Sequence, residues 1–121
     1  MEIPDTTYDL YQKGRGHLAA GLNAQATVAL EKAKRREPGK ASIREALGIA
    51  YFRIHRFADA EREFRAVLDL HPADDYAHFA LGRSLEKQGR PEEAAGHYKL
   101  ARCMRPGSSE YRRAVEALES T

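Results

Sequence analysis

An all-α stack of helical hairpins is predicted by three features of the 121-residue sequence. The first is a period of 34: Gly14, Gly48 and Gly82 are 34 apart, as are Ala26, Ala60 and Ala94, and Pro38, Pro72 and Pro106. Self-similarity at a fixed spacing of this size marks units that each bury a face on the next. The second is apolar spacing. Leu47, Ala50, Tyr51 and Ile54 fall at i, i+3, i+4 and i+7, the stripe of an amphipathic helix. The third is composition. Twenty alanines and no valine, isoleucine or threonine alternation favour helix over strand.

The units run over about 7–40, 41–74 and 75–108, with a remainder at 109–121, in one domain spanning 1–121. Each reads as two helices, broken near Gly21-Leu-Asn, His55-Arg-Phe and Gly89-Arg-Pro. Such short breaks suit antiparallel neighbours. Ser42 and Glu45 stand at capping-box spacing. Asp74-Asp75 suits the positive end of a helix dipole, and Pro91-Glu-Glu opens another helix in the same way. The prolines end each second helix, because proline lacks a donor and disfavours helical geometry in the residue before it. Gly14, Gly48 and Gly82 each cost a helix about 1 kcal/mol relative to alanine. A close helix approach would justify that cost, with Ala26, Ala60 and Ala94 as the facing small side. In the remainder, Tyr111, Ala114, Val115 and Leu118 form one stripe, which predicts a capping helix over about 109–119.

Leu47, Gly48, Tyr51, Ala60, Phe64, Val67 and Pro72 resemble the tetratricopeptide repeat (TPR) in type and spacing. Leu81, Gly82, Ala94, Tyr98, Ala101 and Pro106 repeat the match, and Gly14, Ala26, Leu30, Ala33 and Pro38 repeat it more weakly. The resemblance covers 102 of the 121 residues. It implies a right-handed α-α superhelix, a TPR solenoid of three helix-turn-helix repeats plus a terminal helix. Leu10, Arg44 and His78 replace the aromatic often found near the start of the first helix, and Lys13 and His17 sit where core residues are common.

Composition excludes several function classes. With 42% hydrophobic and 31% charged residues the chain is neither disordered nor membrane-spanning, and no apolar run approaches ~20 residues. The acidic start Met1-Glu-Ile-Pro-Asp does not read as a signal peptide. The lone Cys103 allows no internal disulfide, which fits a reducing, cytoplasmic setting. A net charge of +2 gives no basic face for nucleic acid in general. The one basic cluster, Lys32, Lys34, Arg35 and Arg36, stands at a helix end where cations complement the dipole. No catalytic constellation is present, so no enzyme activity is expected. Among His17, His55, His71, His78 and His97 no two stand at i, i+3 or i+4, so neither a metal nor another cofactor is expected.

The resemblance places partner binding on the inner face of each first helix. There it nominates Tyr8, Tyr11, Gln12, Arg15 and Leu18, then Ser42, Glu45, Ile49, Phe52 and Arg53, then Tyr76, Phe79, Arg83, Glu86 and Lys87. Tyr8, Tyr11 and Arg15 match Tyr76, Phe79 and Arg83 at a lag of 68. Aromatic and arginine side chains are enriched at binding hot spots, and a guanidinium offers a planar fork to carboxylates. The competing reading makes the aromatics packing between helices. Some TPR domains grip chaperone tails with a carboxylate clamp, but the matching positions here hold Tyr11, Arg15, Ala46, Tyr76 and Ala80, so that pattern is absent. The expected function is an adaptor that binds another protein or peptide, acidic or C-terminal, in the concave groove. A self-assembling homo-oligomer is the alternative, and nucleic-acid binding ranks third.

Overall fold

The computed structural model describes residues 3–120; Met1 and Glu2 of the acidic start lie outside them. The described residues form α1 (Thr7–Ala19), α2 (Asn23–Arg36), α3 (Ala41–Arg53), α4 (Phe57–Leu70), α5 (Asp75–Lys87), α6 (Pro91–Met104) and α7 (Ser109–Glu119), with no strand among them. Consecutive helices pack on one another in order, building a right-handed superhelix of three hairpins closed by α7.

Local chemistry explains most of the helix ends. Thr6 and Asp9 form a capping box at α1: the Asp9 amide donates to Thr6 Oγ1 at 3.0 Å, and the Thr6 amide donates to Asp9 Oδ2 at 3.1 Å. Asp74 accepts from the Ala77 amide at 3.0 Å and Ser108 from the Tyr111 amide at 3.2 Å. Pro91 opens α6 as predicted. The predicted box at Ser42 and Glu45 is not used: α3 already begins at Ala41, and its cap, Lys40, makes no side-chain hydrogen bond. Inside each hairpin the chain turns through a left-handed residue, Gly21 (φ 77°), His55 (φ 64°) and Gly89 (φ 75°), 34 apart. His55 bears the strain of that region and stacks its ring on Phe57 at 5.4 Å.

The repeated glycines make room for large side chains. A Cβ on Gly14 would lie 2.5 Å from Leu30, on Gly48 2.8 Å from Phe64, and on Gly82 2.5 Å from Tyr98. Each partner stands 16 residues later, on the second helix of the same hairpin. Ala26, Ala60 and Ala94 were expected on the facing side, and in the third hairpin the Ala94 carbonyl does lie against the Gly82 position. Those alanines are fully buried, and the Ala94 carbonyl lies 3.2 Å from a Cβ built on Gly82.

The two ends of the stack are adapted to water. Lys13 and His17 occupy the positions that hold buried Leu47 and Tyr51, then Leu81 and Leu85, in the following hairpins. Lys13 instead pairs with Asp5 at 3.1 Å. At the other end α7 buries Tyr111 and Val115, leaves Arg112, Arg113, Glu116 and Glu119 exposed, and is tied down where Tyr111 Oη donates to Asp75 Oδ2 at 2.7 Å.

One pair of positions on paired helices recurs with different chemistry. Leu10 and Ala29, Arg44 and Glu63, and His78 and His97 are equivalent pairs, each 19 residues apart. Arg44 Nη1 donates to Glu63 Oε1 at 3.0 Å, and Lys34 joins through Oε2 at 2.8 Å. In the third hairpin His78 Nδ1 and His97 Nδ1 are 3.1 Å apart, and His78 Nε2 lies 2.9 Å from the Pro72 carbonyl. A carbonyl can only accept, so Nε2 of His78 carries its hydrogen and Nδ1 is the acceptor for His97 Nδ1–H. Burial, His78 across the gap and Arg65 from α4 all hold His97 below its ordinary 6.5, with Glu93 on α6 opposing them. The unfolded chain thus takes up a proton more readily than folded His97 does. Stability from His97 is complete above pH 6.5 and declines as the pH falls below it. Urea unfolding from pH 8 to 5 is expected to show this loss in the wild type. It should be reduced in His78→Leu/His97→Ala, which installs the first hairpin's pair; equal slopes would refute it.

A candidate protein-binding groove

The inner faces of α1, α3 and α5 line two adjoining hollows. The first, about 200 Å³, has apolar walls of Ile49, Phe52, Phe64, Tyr76, Phe79 and Ala80, with Arg53, Arg83 and Glu110 at its rim. The second, about 460 Å³, is lined by Tyr11, Arg15, Leu18, Ala19, Ser42, Glu45 and Ala46. Ile49 and Arg53 belong to both, so the two hollows form one trough.

Most of the nominated residues come together there, in different states. Tyr76 is 39% exposed and stands edge-on to Phe64, with ring centroids 6.5 Å apart. Phe79 is only 5% exposed, because Tyr98 and Tyr111 pack against it at 5.6 and 5.0 Å. It forms the floor of the first hollow. Tyr8 is 68% exposed and faces a separate recess with Tyr11, Glu37, Lys40 and Ile43. Gln12, Glu86 and Lys87 line neither hollow, and Glu86 instead accepts from Tyr98 Oη at 2.7 Å. Glu110 and Phe64 line the groove but were not nominated. Glu110 belongs to the terminal helix, outside the 34-residue register, and Phe64 reads from its spacing as core.

The arginines are held in place by neutral groups. Arg83 lies over both Phe52 (5.5 Å) and Phe79 (5.9 Å), and Arg15 over Tyr11 (5.7 Å). Arg53 Nη1 donates to the Leu18 carbonyl at 3.0 Å, spanning from α3 to the end of α1. Burial raises the Glu45 carboxyl above its ordinary value, and the Asp74 charge adds to the shift. Burial likewise raises the Tyr76 hydroxyl, helped by Glu45 and opposed by Arg53. These groups supply apolar area, forked cations and hydrogen bonds. The described residues contain no group of three or more His, Cys, Asp or Glu side chains placed to hold a metal.

The basic cluster at the end of α2 is partly engaged. Lys34 is paired with Glu63, and Arg36 donates to the Asp5 carbonyl. Among the described residues no helix is long and apolar enough to cross a membrane.

A fold of stacked helical hairpins with an open inner trough defines a class of repeat solenoids. A family profile described as tetratricopeptide repeat matches residues 46–109, just over half of the chain, and the protein belongs to that family. Over 87 residues it is 34% identical to cellulose synthase operon protein C of Pseudomonas fluorescens (strain SBW25); the match takes in 72% of this chain but 7% of that protein. Two solved structures superpose closely. The first TPR of Spaghetti (RPAP3), bound to an HSP90 peptide SRMEEVD, gives a TM-score of 0.89 at 21% identity over 94% of this chain and 90% of that one. MamA gives 0.93 at 20% identity over 97% and 68%. At such identities these two likenesses establish the fold.

Proposed function

We propose that the protein is a non-catalytic adaptor that holds a segment of a partner protein in the trough formed by α1, α3 and α5. The observation that carries this reading is the continuity of the two hollows through Ile49 and Arg53, with aromatic walls and cations fixed in advance. Ordering these side chains before binding lowers the entropy cost of association. The RPAP3 domain, with the same fold, has a peptide bound, which supports a peptide-sized ligand here.

A crosslinking pull-down should compare wild type with Tyr76→Ala and Arg83→Ala, both exposed positions whose loss leaves the core intact. Capture of specific partners is expected to fall by about tenfold or more, the scale of losing one hot-spot side chain. Retention of every partner by both variants would place binding elsewhere.

A further inference from the structure

The arginines of the trough differ from six of those elsewhere on the surface, while Arg35, Arg36, Arg102, Arg112 and Arg113 outside it likewise form no ion pair with a described residue. Arg44, Arg56, Arg62, Arg65, Arg90 and Arg105 each pair with a carboxylate of this chain. Arg15, Arg53 and Arg83 are the arginines of the trough, and no described residue forms an ion pair with any of them, although Glu45 and Glu110 line the same hollows. Their anchors are aromatic rings and a main-chain carbonyl, which set the orientation of each guanidinium and leave its charge uncancelled. Arg83 and Arg53 both stand at the rim of the smaller hollow, whose walls are Ile49, Phe52, Tyr76 and Phe79. A bulky apolar side chain fits that volume, and a carboxylate beside it would meet two forks already in position.

From this we infer that the partner segment carries a bulky apolar residue next to a carboxylate, the first entering the Phe52–Tyr76–Phe79 hollow and the second bridging Arg53 and Arg83. The inference rests on the groove reading above. Glu110 at the same rim sets a limit on the anion: a singly charged carboxylate satisfies the arginines, whereas the second charge of a phosphate would face Glu110.

Fluorescence anisotropy with labelled heptapeptide pools tests this. Each pool has random flanks and a central phenylalanine followed by glutamate, glutamine, lysine or phosphoserine. The glutamate pool is expected to bind about tenfold tighter than the glutamine pool, as a charge-assisted hydrogen bond would give, with the lysine pool weakest. Raising the salt should narrow the gap. Arg83→Met and Arg53→Met keep aliphatic bulk at exposed sites and should erase the glutamate preference. Arg112→Met, on the outer side of α7, should retain it. Thermal unfolding of each variant confirms that it is folded. Pools that bind alike whatever follows the phenylalanine, or a preference for lysine or phosphoserine, would overturn this inference and leave the groove reading standing. If no pool binds, both fall.

Discussion

Replacing Gly82 by alanine is expected to destabilise the protein, while the same replacement at Gly16 or Gly96 is expected to stabilise it. In each case an unstrained helical alanine is favoured over glycine by up to about 1 kcal/mol. At Gly16 and Gly96 nothing lies within 4 Å of the added Cβ, so that gain is realised. At Gly82 the Cβ would meet Tyr98 Cε1 at 2.5 Å and Cδ1 at 2.7 Å, with the Ala94 carbonyl at 3.2 Å behind them. Tyr98 cannot swing away. It is fully buried, and its hydroxyl donates to Glu86 Oε1 at 2.7 Å. Overpacking of this kind costs about 1–3 kcal/mol, which exceeds the propensity gain. Chemical denaturation of the three variants should therefore show a change of sign between sites. A Gly82→Ala protein as stable as Gly16→Ala would mean that α5 and α6 do not approach as closely as the structure shows.

The repeat made much of this architecture legible, because three copies report on the same physical constraint. Breaks at Gly21, His55 and Gly89, stops before Pro38, Pro72 and Pro106, and the stripe of α7 all follow from chain geometry acting at fixed intervals. Spacing cannot say what fills the gap beside a glycine. Leu30, Phe64 and Tyr98 do so because the gap lies across the hairpin, where the partner's size is set by packing and not by the local pattern. The same holds for the helix start at Ala41, where Ser42 and Glu45 had the right spacing but the chain entered the helix earlier. In the groove, Tyr11, Arg15, Ile49, Phe52, Arg53, Tyr76, Phe79 and Arg83 were placed by the repeat register. Glu110 was not, since α7 arrives by capping the stack rather than by repeating it. The His78–His97 pair was hidden for a related reason: its members stand on different helices, and only the equivalence with Arg44 and Glu63 identifies the column.

Phe64→Ala is expected to destabilise the protein more than any of the glycine replacements, by about 3–5 kcal/mol, a sizeable share of the ~5–15 kcal/mol that holds an ordinary domain together. Phe64 is 1% exposed and fills the space over Gly48 on α3. Its ring also backs Tyr76 on α5, so it connects all three helices behind the smaller hollow. Removing it opens a cavity on the side where Gly48 has no Cβ to offer. That geometry makes a second, sharper expectation. Gly48→Ala alone should be harmful, because its Cβ would lie 2.8 Å from Phe64 Cζ. In the Phe64→Ala background the same methyl group enters the vacated space and also gains helix propensity. The double variant should then be more stable than the sum of the single costs, by a coupling of about 0.5–3 kcal/mol for side chains in direct contact. Urea denaturation of the four proteins supplies the cycle. Strictly additive costs would show that Phe64 does not rest on Gly48, and would remove the wall that gives the apolar hollow its shape.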